Sequence, residues 1–313
     1  MKLAFLYAGQ GSQKVGMGAD FYEQFTEVRS FFDYDKLDFS IKDICFNDTD
    51  GLLSQTRYTQ PCMAAFAAAV TALLNKEGIM PSVAAGLSLG EYSALHAAGV
   101  LSANDLIALV AFRGMVMEEA AEGLNCRMTA VLGLTASAVN KAINKAAKES
   151  SKVVACANFN CPGQIVIGGE TDAVLLAEQY CIDAGAKRCL PLNVSGPFHT
   201  PLMKPAGDKL KEKLSNTTLG NQKIPVIFNS TADADNDKEI PTLLERQVQS
   251  PVLFEQSVKK LVHMGVDCAI EIGPGNVLAG FIRKIAPHIK VYSISDVVGY
   301  EKAVAAIKGE VLS

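Results

Sequence analysis

Ser82-Val83-Ala84-Ala85-Gly86-Leu87-Ser88-Leu89-Gly90-Glu91-Tyr92-Ser93-Ala94-Leu95-His96-Ala97-Ala98 changes character at one serine. The residues before Gly86 form a short apolar run, the signature of a buried strand. Those after Gly90 carry a helical pattern from Glu91 to Ala98. Between them, Gly86-Leu87-Ser88-Leu89-Gly90 fits G-x-S-x-G, in the strand–turn–helix context that this motif needs. Small residues on both flanks let the chain turn sharply and leave the serine hydroxyl exposed at the junction. The helix N-terminus then points free N–H groups at any anion forming there. The Leu89 N–H is one natural donor to an oxyanion. Five residues alone match by chance often, so the alternative is a turn that is merely rich in glycine.

Working outward, strand and helix patterns alternate. Lys2–Tyr7 reads as a strand ending in the loop Gly9-Gln10-Gly11-Ser12-Gln13. Pro61–Glu77 reads as an Ala-rich helix closed by Gly78, and Ser102–Glu122 as a long helix with Ser102 as cap and Asp105 at its third position. That rhythm predicts a largely parallel sheet. In the middle it changes. Strands at Met128–Leu132, Val153–Asn158, Gln164–Gly168 and Lys187–Pro191 enclose helices at Ala136–Glu149 and Thr171–Ala184. This is β-α-β-β-α-β, the order of a ferredoxin-like unit. The expected architecture is an α/β-hydrolase-like large subdomain, residues 1–125 and 193–313, with an inserted ferredoxin-like small subdomain, residues 126–192. The larger unit resumes with a helix at Pro201–Leu214, a strand at Ile224–Asn229, a helix at Leu253–Met264 and a strand at Cys268–Ile272. The turn Ile272-Gly273-Pro274-Gly275-Asn276 reads as architecture, and the acidic run from Asp233 to Asp237 as a solvated loop.

The 313 residues are 49% hydrophobic and 20% charged, a globular composition that excludes disorder as the main state. A net charge of −4 argues against a broad nucleic-acid surface. No apolar run is long enough to span a membrane. The run Leu3–Ala8 after Lys2 is too short for a signal peptide and lacks a cleavage pattern, so a cytoplasmic protein is expected. Eight cysteines without a CxxC pair are expected as reduced core thiols, and four histidines without a Cys/His cluster predict no metal site. Gly9-Gln10-Gly11 does not extend to a dinucleotide fingerprint or a phosphate loop.

A nucleophilic serine needs a base. His96 lies within the helix after the elbow, His263 follows two lysines on an amphipathic helix, and His288 follows a proline in a polar turn. His199, in Ser195-Gly196-Pro197-Phe198-His199-Thr200-Pro201, precedes a helix in a loop that can present it to a pocket. No acidic third member is evident, since Asp172 and Asp183 fall in the inserted unit. A backbone carbonyl accepting from Nδ1–H would fix the imidazole in the same way. Arg113 interrupts the stripe Leu106, Leu109, Val110, Met117 on the long helix. It reads either as a snorkelling or ion-paired arginine, or as a receptor for a substrate carboxylate through its paired N–H groups.

Several segments in order resemble the malonyl-CoA:acyl-carrier-protein transacylases of fatty-acid synthesis and the related acyltransferase domains of polyketide synthases. They are Gly9-Gln10-Gly11-Ser12-Gln13, Thr59-Gln60-Pro61, Gly86 to Glu91, Arg113-Gly114, Asn158-Phe159-Asn160, Phe198 to Met203, Gln247 with Pro251-Val252, and Glu271 to Gly275. The resemblance implies Ser88 as acyl carrier and His199 as general base and acid. It implies Gln10 and the Leu89 N–H at the oxyanion, and Arg113 as the clamp for a malonyl carboxylate. It further implies that Gln247 holds His199 through its main-chain carbonyl, that the Asn158–Asn160 stretch touches the pantetheine arm, and that Phe198 accompanies malonyl selection. The expected substrates are malonyl-CoA and acyl carrier protein, with no cofactor, no nucleic acid or membrane partner, and a monomer as the working unit. Alternatives are a free-standing polyketide acyltransferase, a serine thioesterase or hydrolase on the same elbow, and a carrier-docking protein without activity. Two departures stand out. Leu87 occupies the place where the family usually has His, and Glu118 the place where it usually has Gln. Glu118 is expected to pair with Arg113 or a neighbour if it faces inward.

Overall fold

The computed structural model describes residues 1–234 and 240–309. Its strands, in chain order, are β1 (Leu3–Tyr7), β2 (Val83–Gly86), β3 (Cys126–Leu132), β4 (Val154–Cys161), β5 (Gln164–Glu170), β6 (Arg188–Pro191), β7 (Val226–Ile227), β8 (Cys268–Ile272) and β9 (Lys290–Ile294). Two sheets result. The larger is parallel throughout, in the order β7-β2-β1-β8-β9. Strands β1, β2 and β8 are buried at every residue, as a sheet covered on both faces requires.

Alternation along β1 divides the core. Leu3, Phe5 and Tyr7 point into the cluster built on the helices Thr56–Lys76 and Ala103–Ala121. Ala4 and Leu6 point the other way, toward Phe254, Val258, Leu278 and Ile282. Each fully buried Phe or Leu here contributes roughly 1.5–3 kcal/mol relative to exposure. The helix Thr56–Lys76 is buried from Thr59 to Thr71 without a break. Its alanines leave room for the helix Ala103–Ala121 to pack along it. Ser102 caps that second helix by accepting the Asp105 N–H at 3.1 Å.

The smaller sheet is antiparallel in the order β4-β5-β3-β6, with the helices Ala136–Ser150 and Thr171–Asp183 packed on it. This is the ferredoxin-like arrangement. Val131, Ile165 and Ile167 face those helices. Met128, Ala130 and Val166 face the opposite way and meet Val116, Met117 and Phe198 of the large unit. Main-chain bonds between Phe159 and Val252 (2.8 Å) and between Val252 and Ala157 (2.9 Å) stitch the two units together.

Two readings of the sequence need correction, and one stretch of the fold was not read from it. The Ala-rich helix begins at Thr56 rather than Pro61. The Thr59 N–H reaches the Gln55 carbonyl at 2.8 Å and its hydroxyl bonds Leu53 and Gln55 carbonyls, so a further turn forms ahead of the proline. The strand predicted over 224–229 shrinks to Val226–Ile227. Pro225 has no N–H to donate, and Phe228 already turns back to bond Asp233. The chain beyond Ile272 adds β9 and the helices Val277–Ile285 and Val297–Lys308, which the sequence reading did not name. The turn after Ile272 is built around buried Glu271, whose carboxyl accepts the Leu278 and Ala279 N–H groups at 2.8 and 3.0 Å and caps the next helix. All eight cysteines are free. Among the described residues no helix is long and apolar enough to cross a membrane. Of the acidic run, 235–237 lie outside the described residues.

Candidate active site

β2 ends at Gly86 and the next helix starts at Gly90. Steric necessity fixes both glycines. A Cβ on Gly86 would lie 2.0 Å from the Gly90 carbonyl carbon, and one on Gly90 would lie 2.1 Å from the Tyr7 carbonyl oxygen. Between them Ser88 adopts φ +53°, a left-handed conformation that costs a non-glycine residue about 1–3 kcal/mol. The N–H groups of Gly90, Glu91 and Tyr92 turn back onto Leu87, Ser88 and Leu89 carbonyls. The Leu89 N–H meets no acceptor among the described residues.

Ser88 Oγ lies 2.7 Å from His199 Nε2. His199 Nδ1 lies 2.8 Å from the Gln247 main-chain oxygen. A carbonyl can only accept, so Nδ1 carries the proton and Nε2 offers its lone pair to the serine. Arg113 Nη2 donates to the same Oγ at 3.1 Å. The serine oxygen therefore accepts from a cation while its own hydrogen points at a base. Burial, and then the Arg113 charge, lower the His199 pKa to about 4, which keeps the imidazole neutral at physiological pH. The other three histidines are elsewhere: His96 bonds the Leu101 carbonyl, His263 bonds the Lys259 carbonyl, and His288 is exposed.

Arg113 is 1% exposed. Besides Ser88 it donates to Gln60 Oε1 at 2.9 Å and Gln247 Oε1 at 3.0 Å, and it lies over the Tyr92 ring at 5.2 Å. It makes no ion pair, so the snorkelling and salt-bridge readings do not describe it among the described residues. Glu118 faces away from it and accepts the Arg57 N–H at 3.1 Å. Gln247, at the end of the helix Ile240–Gln247, also donates from Nε2 to the Ser88 carbonyl at 2.8 Å.

Ser88, His199 and Arg113 line a cavity of about 160 Å³ between the two sheets. Gln10, Leu87 and Phe198 line it from the large unit, and Met128, Asn158 and Asn160 from the small one. The Gln10 side chain donates to Thr56 Oγ1 at 2.9 Å, and its main-chain N–H, which meets no acceptor among the described residues, is the group left to meet a reacting oxygen. Buried Asn160 has an Oδ1 with no partner among the described residues. Leu87 gives the wall beside the serine an apolar side chain.

The arrangement can take a proton from an activated serine and hold an anionic group beside it. Residues 4–306 match the model of the acyl transferase domain. The chain belongs to that family. It is 42% identical over 312 residues to the malonyl CoA-acyl carrier protein transacylase of Bacillus subtilis (strain 168), covering 99% of this chain and 98% of that one. Among solved structures it is similar to the MCAT from Streptococcus pneumoniae, at 42% identity and TM-score 0.92, covering 97% and 100% of the two chains. It is also similar to a malonyl-transacylase in complex with its type II PKS acyl-carrier protein, at 36% identity and TM-score 0.94, covering 98% and 100%.

Sequence reasoning attached no role to Gln60, Tyr92, Glu91 or Asn229. Gln60 carried no clear signal, since it stands just ahead of Pro61 beside the polar residues Arg57 and Thr59. Asn229 carried a weak one, its place just past the C-terminal end of a parallel strand, where sites on such sheets gather.

Proposed function

We propose that this acyltransferase moves a malonyl group from malonyl-CoA to the phosphopantetheine thiol of an acyl carrier protein, through a malonyl ester on Ser88, as the loading step of fatty-acid synthesis. One observation carries the reading: Ser88 Oγ sits between His199 Nε2 at 2.7 Å and a buried guanidinium at 3.1 Å that has no ion-paired carboxylate among the described residues. The relatives named for malonyl transfer, matched over nearly the whole chain, support the substrate pair.

In the first step His199 Nε2 takes the Ser88 proton as Oγ attacks the thioester carbon. The oxyanion is met by the main-chain N–H groups of Leu89 and Gln10, each worth about 2.7–4 kcal/mol in comparable sites. The C–S bond breaks, and His199 returns the proton to the CoA sulfur. In the second step His199 deprotonates the carrier thiol, the thiolate attacks the ester carbon, the C–O bond to Ser88 breaks, and the proton goes back to Ser88 Oγ. No electrons are exchanged, and the scheme needs no cofactor. Arg113 binds the free malonyl carboxylate. Gln247 holds His199 in its tautomer, and Asn160 and Phe198 line the channel for the pantetheine arm and acyl group. All of these groups come from one chain, so a monomer suffices, and we place it in the cytoplasm. The relatives named for malonyl transfer favour this reading over a hydrolase on the same elbow.

Initial rates measured against both malonyl-CoA and carrier protein bearing a free phosphopantetheine thiol test the route. Parallel double-reciprocal lines are expected for a covalent intermediate. Intersecting lines, which mean both substrates bind before reaction, would contradict it.

A further inference from the structure

Glu91 lies on the first turn of the helix after the elbow, and the mechanism above makes no use of its carboxyl. It is wholly buried. Oε2 accepts the main-chain N–H of Asn229 at 2.5 Å, while Oε1 has no hydrogen-bond partner among the described residues. Asn229 in turn reaches both sides of the elbow. Its Oδ1 accepts the Ser88 N–H at 2.6 Å, and its Nδ2 donates to the Gly86 carbonyl at 2.7 Å. Its own carbonyl accepts the Leu253 N–H at 2.9 Å.

We propose that Glu91, acting through Asn229, is a positioning residue that holds Ser88 in its left-handed conformation and decides which main-chain N–H meets the oxyanion. The inference rests on Ser88 as the acyl carrier. A serine at φ +53° relaxes unless its neighbours hold it. The Asn229 amide can hold it only if the Asn229 backbone is itself fixed, and Glu91 fixes that backbone from the far side. The brace also occupies the Ser88 N–H. The next free donor along the turn is then the Leu89 N–H, which must point into the cavity for either half-reaction to proceed.

The brace asks Glu91 for an acceptor oxygen, not for a charge. Burial outweighs the Asn229 N–H, the Gln247 side chain and the nearby Arg113, and pushes the carboxyl up to about 8, so the neutral acid predominates at pH 7. Glutamine preserves the acceptor and the shape, and alanine preserves neither.

The test is the burst of CoA release from malonyl-CoA, with active sites counted from its amplitude, in the parent protein and in Glu91→Gln, Glu91→Ala and Asn229→Ala. Glu91→Gln is expected to stay within about threefold of the parent rate constant, and the two alanine variants to slow by about tenfold to a hundredfold per active site. KM for malonyl-CoA is expected to hold, since neither residue lines the cavity. A role in stability alone would shrink the amplitude and leave the rate constant of the surviving sites unchanged, and that result overturns the proposal. So does a Glu91→Gln variant as slow as Glu91→Ala, which would mean that charge, not the acceptor, matters. Should Glu91→Ala not fold, Asn229→Ser cuts the same chain of bonds from the other end and carries the same expectation. An absent burst in the parent protein would overturn the acyl-serine reading itself, and this inference with it.

Discussion

Replacing Arg113 with alanine separates two contributions that the structure lets us size. The guanidinium is buried, and its named hydrogen-bond partners, Gln60, Gln247 and Ser88, are all neutral. The nearest carboxyl acting on it, Glu91, is itself pushed toward its neutral form. A malonyl carboxylate would supply the missing counter-charge. Losing one partner of a buried hydrogen-bonded ion pair costs about 3–5 kcal/mol, or about 150-fold to 5,000-fold in rate. Water entering the vacated space recovers part of this, so kcat/KM for malonyl-CoA is expected to fall by at least about a hundredfold. Acetyl-CoA has no carboxylate to lose. It loses only the bond from Arg113 to the serine oxygen, about tenfold. The malonyl-to-acetyl ratio of kcat/KM therefore falls by about tenfold or more in Arg113→Ala. Acyl-enzyme formation from each thioester, followed by mass at several concentrations, measures it. An unchanged ratio would refute Arg113 as the carboxylate clamp, whatever happened to the absolute rates.

Other consequences follow from the same geometry. His199→Ala is expected to slow both acylation by malonyl-CoA and discharge onto the carrier by about 10²–10⁴-fold, measured as separate half-reactions; a loss in only one would break the shared-base scheme. Burial and Arg113 hold the imidazolium down, so kcat/KM should stay flat through neutral pH and fall only as the pH approaches about 4. An acid limb near 6.5, the ordinary imidazole value, would contradict this environment. The sign for stability agrees: the unfolded chain takes the proton first as pH falls, so this histidine erodes stability between 6.5 and about 4. Gly90→Ala would place a Cβ 2.1 Å from a backbone oxygen, and a lowered melting temperature with loss of the acylation burst is expected.

What the sequence made legible was local. The elbow is one contiguous strand, turn and helix, so its pattern survives in a string of letters. Arg113 stood out because a charge broke an apolar helical stripe, and burial along that stripe is what the structure has. His199 emerged only by comparing four histidines, and its positive φ of +62° has no local signature. The Asn229 brace was illegible because 141 positions separate it from Ser88 and the two meet only when β7 pairs with β2. Gln60 was hidden by the proline rule, which reads Pro61 as a helix start and puts its predecessor outside the helix. β9, a half-exposed edge strand, lacks the continuous apolar run that marks the buried strands.

The most direct test of the account is the intact mass of the purified protein after mixing with malonyl-CoA alone. The account predicts one malonyl adduct that maps to Ser88, is absent in Ser88→Ala, and disappears when carrier protein bearing a free phosphopantetheine thiol is added, with the malonyl group recovered on the carrier. An adduct that maps elsewhere, or free CoA accumulating with no adduct and no transfer, would contradict it.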